Sequence, residues 1–224
     1  MGLKIVKDGY SHVFGSIILC GLIGLGLHLA GLKVAAVIFW ALGVILASFM
    51  LYFFRDPERL PPVDDSLIVA GADGLVRAIE EIRESRHLAT DTVRISVFLS
   101  PFNVHVNRSP MGGTVSALSY TPGKHLLTIS NASSEHNEHS SILIDGPRTR
   151  CLVRQIVGPI VRRVVYWLQM NQPIQRGERI GMMKFGSRLD MYFPKTDVQV
   201  LVKKGDKVVA GVTPIAKIVK GEHP

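Results

Sequence analysis

The sequence predicts a mainly β fold, a β-sandwich or barrel with few short helices, preceded by an N-terminal transmembrane helical hairpin. Three observations predict it. Residues 13–54 are almost free of charge, while short β-like runs separated by turn residues follow from Leu67 to the end of the chain. The mean hydropathy is positive, which is unusual for a purely soluble protein. A length of 224 residues suits one domain with a membrane anchor.

The predicted anchor, residues 1–54, contains two apolar helices at about 13–32 and 34–54. Each is long enough to cross a hydrocarbon core of ~30 Å at ~1.5 Å per helical residue. Because almost nothing separates them, we predict a tight hairpin, with a re-entrant pair as the alternative. A cleaved signal peptide is disfavoured because the apolar length is too great and no small-residue cleavage site is evident.

The basic residues around the hairpin predict its orientation. Lys4 and Lys7 precede it, and Arg55 and Arg59 follow it. Since basic residues mark the cytoplasmic side, both ends are predicted to be cytoplasmic, and we expect the following domain on the cytoplasmic side of the cell (inner) membrane.

The charge of the remaining chain predicts an anionic partner. The first 54 residues carry three Lys and one Asp, a net +2, so residues 55–224 hold +6 of the total +8. Either nucleic acid or an acidic lipid surface suits such a charge. The anchor favours lipid, and the chain lacks a basic helix or an aromatic stacking pattern, so nucleic acid is not predicted as a partner.

A linker, residues 55–66, leads to a β-rich domain at residues 67–224. Pro57, Pro61 and Pro62 predict that the linker is extended. The predicted strands lie at residues 67–70, 74–79, 92–99, 113–118, 141–144, 150–157 and 198–202. Residues 160–169 are apolar with two Arg and suit either a helix or an edge strand.

The C-terminal segment contains a Gly-Asp-x-Val-x-x-Gly turn at residues 205–211. It resembles a half-repeat of the lipoyl and biotinyl carrier fold. Gly205 and Gly211 are expected to supply the positive φ that such hairpins need. Lys184 does not fit a biotin site, because it leads directly into Gly186-Ser187 rather than lying at a hairpin tip.

Three residues supply the parts of an activated hydroxyl: Ser187, His105 and Asp73. A base removes the hydroxyl proton, and a carboxylate holds the imidazole in the required tautomer. Each also has an ordinary structural interpretation: a serine in a Gly-Ser turn, a buried histidine in a strand, and an aspartate that caps a turn before Gly74.

Other polar residues are weaker candidates. His136 and His139 are rival bases, disfavoured because their segment resembles a polar loop. No metal-ligand spacing is present, so no metal site is predicted. Cys20 and Cys151 lie in very different contexts and do not indicate a disulfide framework.

Five stretches in a fixed order carry a resemblance to a known family. They are Phe53-Phe54-Arg55-Asp56-Pro57-Glu58-Arg59, Ala72-Asp73-Gly74, Ser100-Pro101 with Val104-His105-Val106-Asn107-Arg108, Arg154-Gln155-Ile156-Val157-Gly158, and Phe185-Gly186-Ser187-Arg188. Together they resemble the phosphatidylserine decarboxylase proenzymes, in the short, pyruvoyl-dependent bacterial and archaeal form. The resemblance covers the chain from about residue 50 to its C-terminus.

The resemblance implies a carboxy-lyase that converts phosphatidylserine to phosphatidylethanolamine in phospholipid biosynthesis. It implies autocatalytic serinolysis between Gly186 and Ser187, which leaves Ser187 as a covalent pyruvoyl group that forms a Schiff base with the substrate amine. His105 would be the base, and Asp73 would orient it. The α and β chains would stay associated, and no metal or diffusible cofactor would be needed.

The chain departs from longer relatives at one position and leaves several alternatives open. Arg108 lies where those relatives carry a second histidine, so it is open whether His105 serves both cleavage and decarboxylation. A serine ether lipid, archaetidylserine, would suit the same chemistry. A non-catalytic membrane adaptor with a carrier-like β-sandwich is the alternative outside enzymes, and it predicts one uncut chain. Assembly into a homo-oligomer is also open.

Overall fold

The computed structural model describes residues 4–126, 136–158, 164–183 and 187–219, which form two helices followed by fourteen strands. The helices are α1 (Lys7–Leu29) and α2 (Lys33–Phe53). The strands are β1 (Leu67–Val69), β2 (Gly74–Glu84), β3 (Thr90–Leu99), β4 (Val106–Arg108), β5 (Gly113–Thr121), β6 (His139–Asp145), β7 (Arg150–Ile156), β8 (Val164–Tyr166), β9 (Pro173–Ile174), β10 (Arg179–Met183), β11 (Ser187–Pro194), β12 (Val198–Val200), β13 (Lys207–Val208) and β14 (Pro214–Ile218). The predicted mainly β fold with two N-terminal apolar helices is confirmed. The chain divides into two compact units, Met1–Glu58 and Arg59–Pro224.

The first unit is a pair of helices that pack closely through glycine. A Cβ at Gly24 would lie 2.3 Å from the indole nitrogen of Trp40, and a Cβ at Gly43 would lie 2.8 Å from the Cβ of Cys20. Helix α1 begins at Lys7, six residues before the predicted position. Asp8 lies in its first turn, where the negative charge of the side chain is stabilised by the positive end of the helix dipole. Both helices are long and apolar enough to cross a membrane.

The two ends of the helix pair lie side by side within this unit. The Val6 amide donates to the Phe54 carbonyl at 3.1 Å, and the Asp56 amide donates to the Lys4 carbonyl at 2.7 Å. At the opposite end, Gly31 adopts a φ of +79° in the short turn that joins the helices. Glycine reaches that conformation at little cost, so the chain can reverse direction there.

The second unit is built on an eight-stranded antiparallel sheet with the order β13-β2-β3-β11-β7-β6-β5-β9. Strand β11 lies inside the sheet between β3 and β7. Successive side chains of β11 point to opposite faces of the sheet. Leu189, Met191 and Phe193 enter the main apolar core, whereas Arg188, Asp190 and Tyr192 lie on the other face and are also buried.

Two smaller antiparallel sheets complete the second unit, with the orders β4-β10-β8 and β1-β14-β12. The C-terminal segment is divided between sheets, since β14 pairs with β1 and β13 pairs with β2. Gly205 and Gly211 have φ values of +98° and +74°, which confirms the positive φ predicted for them. In the 160–169 segment, residues 164–166 form strand β8, and residues 159–163 lie outside the described residues.

Candidate active site

Ser187 is the first residue of β11, and its side chain is fully buried. Its Cα pairs with that of Leu99, the last residue of β3. The Ser187 hydroxyl has no hydrogen-bond partner among the described residues. Such a group is costly to bury, so Ser187, which also follows the predicted cleavage site, is a candidate for a functional role. Gly186, the other half of the predicted cleavage site, lies outside the described residues, as do Lys184 and Phe185.

His105 is also fully buried, and its tautomer follows from one contact. Its Nδ1 lies 2.9 Å from the Asn103 carbonyl oxygen. Because a carbonyl oxygen only accepts, Nδ1 must carry the hydrogen, and Nε2 bears the lone pair in the neutral ring. The loop that presents this carbonyl is itself held, since Asn103 Oδ1 accepts from the Ser100 amide and hydroxyl at 2.9 and 2.8 Å.

Strand pairing places His105 and Ser187 in the same part of the fold. The Met183 amide, at the end of β10, donates to the His105 carbonyl at 3.2 Å. Ser187, four residues later in the chain, pairs with Leu99, six residues before His105. His105 thus binds the last residue of β10, and Ser187 pairs with the last residue of β3. Residues far apart in the sequence are brought together by these pairings.

Asp73 lies in the turn between β1 and β2, where its carboxylate is bound on both oxygens. Arg59 donates to both oxygens, to Oδ2 at 2.7 Å, and the Ala210 amide donates to Oδ1 at 2.8 Å. The described residues show no direct hydrogen bond between Asp73 and His105. Asp73 thus links Arg59, at the start of the second unit, to the turn before β14. The imidazole of His105 is bound instead by the Asn103 carbonyl.

The glycine that follows Asp73 allows a close approach between chain segments. Gly74 has a φ of +156°, and a Cβ there would lie 2.0 Å from the Phe98 carbonyl oxygen. A side chain would prevent this contact between β2 and β3. The Ala-Asp-Gly stretch therefore has a steric reason for its glycine as well as the ion pair of its aspartate.

A second buried network lies on the opposite face of β11, directly after Ser187. Arg188 is 1 % exposed; its Nε donates to Asp190 Oδ1 and its Nη2 to Ser96 Oγ, both at 2.7 Å. Charged side chains remain stable in such a place only when they are paired and hydrogen-bonded. On the face opposite Ser187, the network links the first residues of β11 to β3 and so helps to fix the position of Ser187.

The rival base His139 lies two strands away from β11. Its Cα pairs with Ile156 of β7, which pairs in turn with Arg188, so its side chain lies on the face of Arg188 rather than that of Ser187. Burial lowers the pKa of His139, more than the Asn137 carbonyl raises it. His136 is exposed and precedes β6. The geometry thus favours His105 over both as the base for Ser187.

Three polar residues near Ser187 were not predicted from the sequence. Asn107, Gln155 and Ser140 form a buried chain of hydrogen bonds, from the Ser140 hydroxyl to Gln155 Oε1 and from Gln155 Nε2 to Asn107 Oδ1, both at 2.7 Å. A signal was present, because Asn107 and Gln155 both lie within the five stretches that carry the family resemblance, although neither was named as a site residue. Buried amides in such positions indicate a specific contact.

Comparison with known proteins shows which family this chain resembles. A family profile described as phosphatidylserine decarboxylase matches residues 46–216. A phosphatidylserine decarboxylase proenzyme of Symbiobacterium thermophilum is 38 % identical over 219 residues, which cover 96 % of this chain and 95 % of that one. Proenzymes of the same name from Chlorobium phaeobacteroides and Desulfotalea psychrophila are 46 % identical over 169 residues (75 % and 79 % of the two chains) and 41 % over 177 residues (79 % and 82 %). The chain therefore belongs to the phosphatidylserine decarboxylase proenzyme family.

Proposed function

We propose that this carboxy-lyase decarboxylates phosphatidylserine to phosphatidylethanolamine after it cuts its own chain between Gly186 and Ser187. The names of its relatives support the substrate. The observation that carries the self-cleavage is the Ser187 hydroxyl, which is buried, has no partner among the described residues, and begins an inner strand. We assign the role of base to His105, whose lone pair is on Nε2 in the neutral ring.

Maturation follows from these two side chains. His105 Nε2 takes the Ser187 proton as Oγ attacks the Gly186 carbonyl carbon, and the proton then passes to the departing Ser187 nitrogen. The peptide bond becomes an ester. Loss of the Ser187 Cα proton and departure of Oγ with the Gly186 carboxylate leave dehydroalanine, and water converts its imine form to a ketone and ammonia. The products are a 186-residue chain and a 38-residue chain, 224 in all.

Position 187 fits a pyruvoyl group, because its hydroxyl makes no hydrogen bond with the described residues that the conversion would break. The pyruvoyl carbonyl would supply the electron sink that a decarboxylation requires. The chain's own contribution is to hold residue 187 in place: β11 pairs with β3 and β7, and the Arg188 network anchors it from the far face. We also propose His105 as a proton donor near this group, with Asp73 as the residue that orients it.

The strand pairing supports continued association of the two chains after cleavage. The 38-residue chain contributes β11 to the middle of the large sheet, β13 to its edge and β14 to a smaller sheet. Breaking one bond before Ser187 removes none of these pairings. The small chain therefore remains an internal part of the fold.

We propose that the helical unit is a membrane anchor and that the active unit lies on the cytoplasmic side of the cell membrane. The outward sides of α1 and α2 expose large apolar side chains, among them Ile18, Leu22, Val37 and Val44. Within this unit, Lys4 and Arg55 lie at the same end, where Ile5 and Arg55 form a bridge. An anchor suits a diacyl substrate, which stays in the bilayer while its headgroup reacts.

The intact mass of the purified full chain, beside a Ser187→Ala variant, tests the proposal. The wild type is expected to give two chains, the smaller one beginning with a blocked, ketone-bearing residue 187, and the variant one uncut chain. Ser119→Ala is a matched control that should leave cleavage unchanged, because the Ser119 hydroxyl is likewise buried on a strand and has no hydrogen-bond partner in the described part of the chain.

Conversion of phosphatidylserine in mixed micelles then tests the activity. A wild type that stays at full mass, or a Ser187→Ala variant that is still cut, would contradict the self-cleavage. A single uncut chain in both samples, without lipid conversion, would favour the membrane adaptor.

A further inference from the structure

The Asn107 carboxamide carries a second buried group without a partner close to Ser187. The Asn107 side chain is fully buried, and its Oδ1 accepts from Gln155 Nε2 at 2.7 Å. Its Nδ2 is also buried and has no hydrogen-bond partner among the described residues. A buried amide donor without an acceptor costs on the order of 1–3 kcal/mol, so a ligand or a reacting group is expected to supply the missing contact.

The direction of the hydrogen-bond chain sets which atom of Asn107 remains available. The Ser140 hydroxyl donates to Gln155 Oε1, and Gln155 Nε2 donates to Asn107 Oδ1. In this arrangement Asn107 binds Gln155 with its oxygen, which leaves Nδ2 as the donor without a partner among the described residues. Because every member of the chain is fully buried or nearly so, the carboxamide is held in one orientation before any reaction begins.

Strand register places this donor on the side of Ser187. Gln155 pairs with Leu189, two residues after Ser187, so the side chains of Gln155, Leu189 and Ser187 share one face of the sheet. His105 and Asn107 are two residues apart on a segment paired with β10, so they point to a common side as well. Since Asn107 contacts Gln155, that side is the face of Ser187.

We propose that Asn107 Nδ2 donates a hydrogen bond to the Gly186 carbonyl oxygen as that oxygen becomes negatively charged during self-cleavage. The inference rests on the proposed maturation and assigns it a further catalytic residue beside Ser187 and His105. When Ser187 Oγ bonds to the Gly186 carbon, the electron pair of the carbonyl moves to oxygen, and it returns when the bond to the Ser187 nitrogen breaks. A donor already in place stabilises this charge without the cost of reorganising water.

Asn107→Asp is the test, because it keeps the shape and the oxygen that Gln155 binds while it replaces the donor with an acceptor. The full chain would be synthesised in a cell-free system with detergent, and the uncut fraction followed by intact mass. Self-cleavage is expected to slow by about 10²- to 10³-fold, the usual loss for one oxyanion donor. The melting midpoint of Ser187→Ala with and without Asn107→Asp, both uncut, controls for the fold.

Treatment with hydroxylamine shows whether Asn107 is needed for ester formation or for the later elimination. It cleaves an ester at once, so it releases the small chain from any molecule in which Ser187 has already attacked. The proposal expects that hydroxylamine does not restore cleavage of Asn107→Asp, because the ester forms slowly. Release at the wild-type rate would overturn it, since the ester would then form without the Asn107 donor.

The outcomes distinguish this inference from the proposed function. If the wild type is cut and Asn107→Asp is cut within about threefold of its rate, the inference fails and the self-cleavage stands; this is also the result expected if Asn107 presented its oxygen instead of Nδ2. If the wild type is not cut, the proposed function fails first. Should Asn107→Asp unfold the chain, Asn107→Ala replaces it, with the same slow cleavage expected.

Discussion

At the scale of single residues, the site depends on which atom binds which partner. The imidazole of His105 receives its orientation from a backbone carbonyl, that of Asn103, whereas the carboxylate of Asp73 binds Arg59 and the Ala210 amide. The role of Asp73 as the residue that orients His105 stays a prediction. Its effect on the imidazole would act across space, through the charge that it brings to this part of the fold.

Asp73→Asn tests that role through the pH dependence of self-cleavage. Loss of the carboxylate should destabilise protonated His105, lower the apparent pKa of the base and slow cleavage by about tenfold, less than the ~10⁴-fold loss seen for a carboxylate in direct contact. Rates measured by intact mass between pH 5 and 9 give both quantities.

Arg59→Gln is the control, since it breaks the same ion pair and keeps the carboxylate. If both variants slow cleavage equally and neither changes the apparent pKa, Asp73 acts only by holding Arg59 and the turn at Ala210. A change of the pH profile confined to Asp73→Asn would support the predicted orienting role.

At the scale of elements, the hairpin between β2 and β3 contains a buried group of titrating residues. Glu84 accepts from the backbone amides of Arg86, His87 and Leu88, and these contacts lower its pKa more than burial raises it. Burial lowers the pKa of His87, and the nearby Glu84 carboxylate only partly offsets this. Both groups therefore bind protons less readily in the folded chain than in the unfolded one.

Stability should consequently fall as the pH falls. A group with a depressed pKa in the folded state contributes its full stability above the unfolded pKa and loses it as the pH falls toward the folded value. The window for His87 and His139 opens below 6.5, and that for Glu84 opens below 4.5. Melting midpoints of the uncut Ser187→Ala chain between pH 8 and 3 would show this decline in two phases.

Single substitutions assign the two phases. His87→Gln should flatten the decline that begins near pH 6.5, and Glu84→Gln the decline below pH 4.5 at the cost of a lower midpoint at neutral pH. Glu81→Gln, at an exposed ion pair with Lys195, should change neither phase. Equal pH profiles for all three variants would contradict the assignment.

At the scale of the whole molecule, the two units differ in where their apolar side chains lie. The helical unit exposes apolar side chains over its length, while the β unit buries its apolar residues in the core between its sheets. Exposed apolar surface of this extent is stable in lipid and unfavourable in water. The proposed anchor keeps the enzyme at the bilayer that contains its substrate.

Labelling of introduced cysteines tests the predicted topology of the full chain. Leu32→Cys, in the turn between the helices, should react with a membrane-impermeant maleimide in whole cells. Leu60→Cys, at an exposed position of the β unit, should react only after permeabilisation. The native Cys20 and Cys151 are both buried, so wild-type cells provide the background. The reverse pattern would place the active unit outside, and labelling of both positions in whole cells would contradict an anchored hairpin.

The sequence by itself was enough for everything that depends on local patterns. The uncharged run of residues 13–54 predicted two apolar helices, the alternation after Leu67 predicted a mainly β unit, and Gly205 and Gly211 were recognised as positive-φ positions. Five ordered stretches predicted the family. Each of these signals lies within a few neighbouring residues, so hydropathy, turn chemistry and residue type suffice to detect it.

Only the tertiary structure decided what binds what inside the site. The partners of Asp73 lie 14 residues before it and 137 residues after it, and the contact between Asn107 and Gln155 spans 48 residues. No local pattern specifies such pairs. Ala210 is brought to Asp73 by the pairing of β13 with β2 and of β14 with β1, and the Asn107–Gln155 contact follows from the pairing of β11 with β7 and of β4 with β10. The sequence determined which residues are able to react, and strand register determined which of them meet.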